Sequence, residues 1–153
     1  MFSRQEIARQ KQAFWTAFGK YMKPVPSANG EKINWINYKT GVTGIYFRMD
    51  ASREQAGIAI ELAHADVELQ QKQYGHFIQL KEMLHGSLGE EWLWQPAVPD
   101  EHGKTIGRIG KELHGVNVLR TEDWPALISF FKPRIIALDD FWSMARYGFE
   151  GLV

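Results

Sequence analysis

The run from Ile33 to His64 constrains this chain most, because its alternation spells a strand, a Thr-Gly turn and then a long hairpin. In Ile45-Tyr46-Phe47-Arg48-Met49-Asp50 apolar residues take every second position, and Gly57-Ile58-Ala59-Ile60-Glu61-Leu62 repeats the pattern. A period of two gives each strand one buried and one wetter face. The buried faces match when Met49 opposes Ile58 and Phe47 opposes Ile60. This register puts Tyr46 beside Glu61, Arg48 beside Ala59 and Asp50 beside Gly57 on the other face. Arg48 then lies diagonally within reach of Glu61, and an ion pair is predicted there.

Helical periodicity flanks this hairpin. Ser3 and Glu6 form a capping box, and Ile7, Phe14, Phe18, Tyr21 and Met22 follow at helical spacing, with Trp15 widening the stripe, until Pro24-Val25-Pro26 ends the helix. A second helix is predicted from an Asp66 N-cap to Gly86 or Gly89, with Val67, Tyr74, Phe77, Ile78, Lys81 and Leu84 as its stripe. Trp92 to Val98 and Thr105 to Leu113 then read as another hairpin around a turn at Pro99-Asp100-Glu101-His102-Gly103. Pro96 argues for an edge strand, since proline cannot donate to a ladder, and Gly107 and Gly110 for a bulge or a close backbone approach. Thr121, Asp123 and Pro125 open a third helix that carries Ile128, Phe131, Ile135, Leu138 and Trp142 on one face. Pro133 is expected to kink or split it. Within it, Asp139-Asp140 reads as a solvated acidic pair.

The order helix, strands, helix, strands, helix, with hairpin-length connections, predicts an α+β fold: an antiparallel sheet of two hairpins plus a first strand, packed against three helices. With 153 residues and no cysteine, one globular domain over 1–153 is expected, without disulfides, in a reducing, cytoplasmic setting. No apolar run reaches the roughly 18 residues of a membrane span. Net charge is formally zero, but it is unevenly placed. Through Lys39 the chain carries seven Lys and Arg against two Glu, so seven minus two leaves five excess positive charges. Such a basic first helix faces either nucleic acid or acidic neighbours in the fold, and the lack of an overall basic excess favours the second.

The chemistry-bearing residues suggest two functions. Trp35, Tyr38 and Lys39 in the first strand, with Arg48 nearby, combine rings and cations suited to stacking bases and holding phosphates. Opposite strand parity sends at least one of the two rings to the core. This supports a non-catalytic binding module for nucleic acid or another protein, or one that pairs with itself through a sheet edge. The alternative is a small metal-dependent hydrolase or nuclease using Asp50, Glu61 and His64, since carboxylates hold a cation and an imidazole moves protons. Against it, the lysine expected two residues after the glutamate is Ala63, and Asp66 is better explained as a helix cap. The five histidines have no zinc spacing, Gly103-Lys104-Thr105 lacks the first glycine of a phosphate loop, and no cofactor motif is present.

The residues Phe14-Trp15, Trp35-Ile36-Asn37-Tyr38-Lys39-Thr40-Gly41, Phe47-Arg48-Met49-Asp50, Asp123-Trp124-Pro125 and Phe130-Phe131-Lys132-Pro133 together resemble the bacterial family catalogued as domain of unknown function 4268. The resemblance spans nearly the whole chain and rests on aromatics rather than a catalytic signature. It implies a domain found in longer bacterial proteins, some with a nuclease-like domain ahead of it, and it brings no catalytic residues. A nucleic-acid context follows only by analogy.

Overall fold

The computed structural model describes residues 2–152. Helix α1 (Arg4–Met22) leads through an irregular segment to strands β1 (Ile45–Ala51) and β2 (Gln55–Leu62). Helices α2 (Val67–Gln79) and α3 (Lys81–Leu88) precede β3 (Leu93–Pro99) and β4 (Thr105–His114), and a 3-10 turn introduces α4 (Trp124–Glu150). All strand pairs are antiparallel, in the order β1-β2-β4-β3. The β1–β2 register is the predicted one, with Phe47 opposite Ile60 and Met49 opposite Ile58. Ile45, Phe47, Ile58, Ile60, Leu62 and Ile109 join Phe14, Phe77, Phe131 and Leu138 in one core cluster. The helices therefore cover one face of the sheet, and Tyr46, Arg48 and Asp50 stand exposed on the other.

Local chemistry explains the ends of the elements. Ser3 Oγ accepts from the Glu6 amide at 3.1 Å while the Glu6 carboxylate accepts from the Ser3 amide, which completes the predicted capping box. Asp66 caps α2 by accepting from the amides of Glu68 and Leu69. The predicted second helix does end at Gly89, but it breaks at Leu80, whose amide bonds back to His76 and Phe77. No proline or glycine marks that break. Four residues of the predicted stripes, Tyr21, Val67, Ile78 and Lys81, are exposed, and α2 buries Gln70 and Gln73 instead. Lys132 Nζ sits 4.8 Å from the centre of the Tyr21 ring.

Pro133 does not split α4, which runs unbroken from Trp124 to Glu150. The missing amide frees the Ser129 carbonyl, and Ser129 lies on the exposed side where water can replace the lost donor. One residue on, the Arg134 guanidinium donates to the Phe130 carbonyl at 2.9 Å and grips both oxygens of Glu90 at 2.8 Å. The Trp92 indole donates to the same carboxylate at 2.7 Å. Burial works to raise the Glu90 carboxyl, but the bonds from Arg134 and Trp92 outweigh it and hold the group below its ordinary value. A carboxylate lowered in the folded state adds stability above its unfolded pKa and loses it as pH falls through the folded one. Glu90→Gln is therefore expected to be less stable than the parent chain at pH 7, with the gap closing in acid below about pH 4. Urea unfolding at both pH values checks this, and an equal gap at both would refute it.

The irregular segment at 23–44 replaces the predicted first strand. Asn34 Oδ1 accepts from the amides of Ile36 and Asn37 at 3.1 and 3.0 Å, which bends the backbone out of extension. The segment is fastened to α4: the Trp142 indole donates to the Thr40 carbonyl at 2.7 Å, and Asp139 accepts from the Tyr38 hydroxyl at 2.6 Å and the Ala28 amide at 2.8 Å. Asp139 is thus buried and bonded rather than solvated, while Asp140 is exposed. On the second hairpin, Pro96 lies on the edge strand as predicted, and the register slips between Gln95 and Val98. Gly107 and Gly110 mark close approaches to Tyr74 and Ala59.

Candidate functional site

The outer face of the sheet is built by the strand registers. Tyr46 opposes Glu61 across β1–β2, and Glu61 opposes Arg108 across β2–β4. Arg48, two residues from Tyr46, reaches Glu61 diagonally: its Nε donates to Oε1 at 3.0 Å. Arg108 Nη2 and Nε donate to the other oxygen at 3.2 and 3.3 Å. One carboxylate therefore sits between two guanidinium groups, leaving one net positive charge. The Glu61 side chain is only 17% exposed and that of Arg48 57%, so the carboxylate is screened while a cation faces solvent. The Arg48 guanidinium carbon lies 4.4 Å from the centre of the exposed Tyr46 ring. Ala59 and Gly110 keep the middle of the face low, since a side chain at 110 would lie 3.2 Å from the Ala59 methyl.

The residues proposed for catalysis do not converge. Asp50 pairs with Gly57, four positions along the strand from the Tyr46–Glu61 pair, or about 13 Å at the strand rise. His64 lies beyond the end of β2, with Nδ1 accepting from the Asp66 amide at 2.9 Å. Glu61 is held by the two arginines. Among the described residues no three His, Asp or Glu side chains gather as cation ligands.

The proposed ring surface is only partly present. Trp35 is 3% exposed and donates to the Val25 carbonyl at 3.0 Å, so it belongs to the core. Tyr38 stacks on Phe47 with ring centres 5.0 Å apart. Burial, then its bond to Asp139 and the charge of that carboxylate, hold its hydroxyl well above the ordinary phenol range. Both rings serve as structure. Lys39 remains exposed and, with Tyr46, lines a shallow depression of about 370 Å³ at the rim of the outer face, formed by residues 37–46. Tyr46 and Arg108 were not nominated from sequence, yet strand parity places Tyr46 beside Glu61. Only Arg108 depended on the β2–β4 pairing, which the sequence does not reveal.

A four-stranded antiparallel sheet with helices on one face and a charged, ring-bearing outer face makes this an α+β protein. The chain belongs to the family described as Domain of unknown function (DUF4268), whose model matches residues 10–146. No curated protein and no solved structure matches it. Among the described residues no helix is long and apolar enough to cross a membrane.

Proposed function

We propose that this chain is a non-catalytic binding module of a bacterial, cytoplasmic protein, and that its outer sheet face takes a single strand of nucleic acid. The supporting observation is the arrangement around Glu61: Arg48 lies over the exposed Tyr46 ring and Arg108 flanks it, with Lys39 at the rim. An aromatic ring offers every base a stacking partner, and guanidinium and ammonium groups follow the phosphates. Self-pairing through a sheet edge is less well supported. β3 is interrupted by Pro96 and a register shift, and on the β1 side the carbonyls of Ile45 and Ser52 are taken by Thr40 and Val118. Only a short run between them is left for a second copy.

Fluorescence anisotropy with labelled single-stranded DNA, duplex DNA and RNA tests this, at low and physiological salt, with and without magnesium. Single strands are expected to bind better than duplex. With Lys39 and the one net charge left by Arg48, Arg108 and Glu61, two phosphates are neutralised, so affinity should fall with salt at a slope of about −1.4, from about 0.7 per phosphate on single strands. Tyr46→Ala should weaken binding by roughly tenfold, the worth of about one stacked base. No binding at any salt removes the reading. Magnesium-dependent cleavage that is lost in Glu61→Gln would move the chain to the hydrolase alternative.

A further inference from the structure

The depression beside Tyr46 has features that the sheet face lacks. It is lined by one continuous run, residues 37–46. Gly41 and Gly44 hold φ values of +78° and +86°, and these left-handed positions turn the run back on itself. Free amides at such turns can hold anions in concave nests; here the Val42 amide is taken by Thr40 Oγ1 at 3.3 Å, and its neighbours are left. Among the described residues the amides of Gly41, Thr43 and Gly44 donate to no protein acceptor, and neither does the Thr43 hydroxyl. Lys39 forms no ion pair there.

A second cation stands behind the run. Arg146 on α4 has Nη2 3.6 Å from where a side chain on Gly41 would begin, and its Nε is buried without an acceptor. The neighbouring carboxylates are engaged elsewhere. Asp139 holds Tyr38 and Ala28, Glu61 holds Arg48 and Arg108, and Glu150 accepts from Arg146 Nη2 at 3.4 Å, where it offsets part of that charge.

We infer that this depression is a phosphate subsite, anchored by Lys39 and lined by the Gly41, Thr43 and Gly44 amides, for the phosphate of a nucleotide. Tyr46 forms the far wall and receives the base. The subsite rests on the binding reading above only for the source of its phosphate, a free nucleotide or a strand laid across the sheet.

The test is an amide NMR titration of the full chain at constant ionic strength with inorganic phosphate, thymidine 5′-monophosphate and thymidine, alongside the oligonucleotide measurement. Phosphate and the monophosphate are expected to shift the Gly41, Thr43 and Gly44 amides along saturating curves, and thymidine to leave them unmoved. Lys39 is exposed, so Lys39→Gln should keep the parent spectrum and melting temperature. It should weaken phosphate binding about two- to fivefold, the scale of one exposed ionic contact. Absent or non-saturating shifts, shifts confined to other parts of the chain, or unchanged affinity in Lys39→Gln would each overturn the subsite. Phosphate binding without oligonucleotide binding keeps the subsite and removes the strand-binding reading. Oligonucleotide binding without phosphate shifts at these amides does the reverse.

Discussion

Asp139→Ala is expected to destabilise the chain by about 3 kcal/mol, because two hydrogen bonds to a buried carboxylate are lost at roughly 1.5–3 kcal/mol each. The Tyr38 hydroxyl and the Ala28 amide both end on this carboxylate, which is 6% exposed. Water cannot take its place without opening the contact between α4 and the 23–44 segment. In a chain of this size the melting temperature should fall by about 6–12 °C. Asp139→Asn keeps one oxygen as acceptor for Tyr38 but turns an amino group toward Ala28, so its loss should be about half as large. Urea unfolding of the two variants separates the contributions. A melting temperature for Asp139→Ala within about a degree of the parent's would show that the segment is held by its apolar contacts alone.

The place of Asp139 shows where sequence reasoning stopped. Ile135, Leu138 and Trp142 define the buried arc of α4, and position 139 is four residues after Ile135, so helical spacing placed it inward. Its polarity, and the Asp140 beside it, argued for solvent. The answer depended on donors 101 and 111 residues away, on a segment whose path no local pattern reveals. By contrast, the β1–β2 hairpin was legible to the residue, because both strands alternate with a period of two and a one-residue slip would exchange every face. The same alternation misled at Ile33–Thr40, where the Asn34 side chain offers its neighbours' amides a closer acceptor than a partner strand would.

Site prediction divided along the same line. The Arg48–Glu61 pair followed from register and is present at 3.0 Å. A strand with two faces would send one of Trp35 and Tyr38 to the core and leave the other as a surface ring. In a folded-over segment both instead pack inward, and the exposed ring is Tyr46, which belongs to the well-predicted hairpin. What was read correctly about the site therefore lies on the sheet, and what was missed depends on the contact between the 23–44 segment and α4.

Gly44→Ala is expected to cost about 3 kcal/mol, from a left-handed φ of +86° and from a collision at the end of β2. A methyl there would begin 2.6 Å from His64 Cβ and 2.8 Å from His64 Cα, and the second of these atoms is backbone that cannot swing aside. Relief requires β1 and the chain after β2 to separate just where the Ala63 amide donates to the Gly44 carbonyl at 2.8 Å. It would also shift the Thr43 carbonyl, which accepts from the buried Gln73 amide at 3.0 Å, and so deform the depression beside Lys39. Gly30→Ala is the matched control. It has a similar φ of +78° with nothing within 4 Å of the added methyl, so it carries the conformational cost alone, about 1 kcal/mol. The difference between the two variants in urea unfolding measures the contact with His64. If Gly44→Ala loses no more than Gly30→Ala, the junction between β1 and the end of β2 yields easily, and the close approach of Gly44 to His64 does not fix the shape of the Lys39 rim.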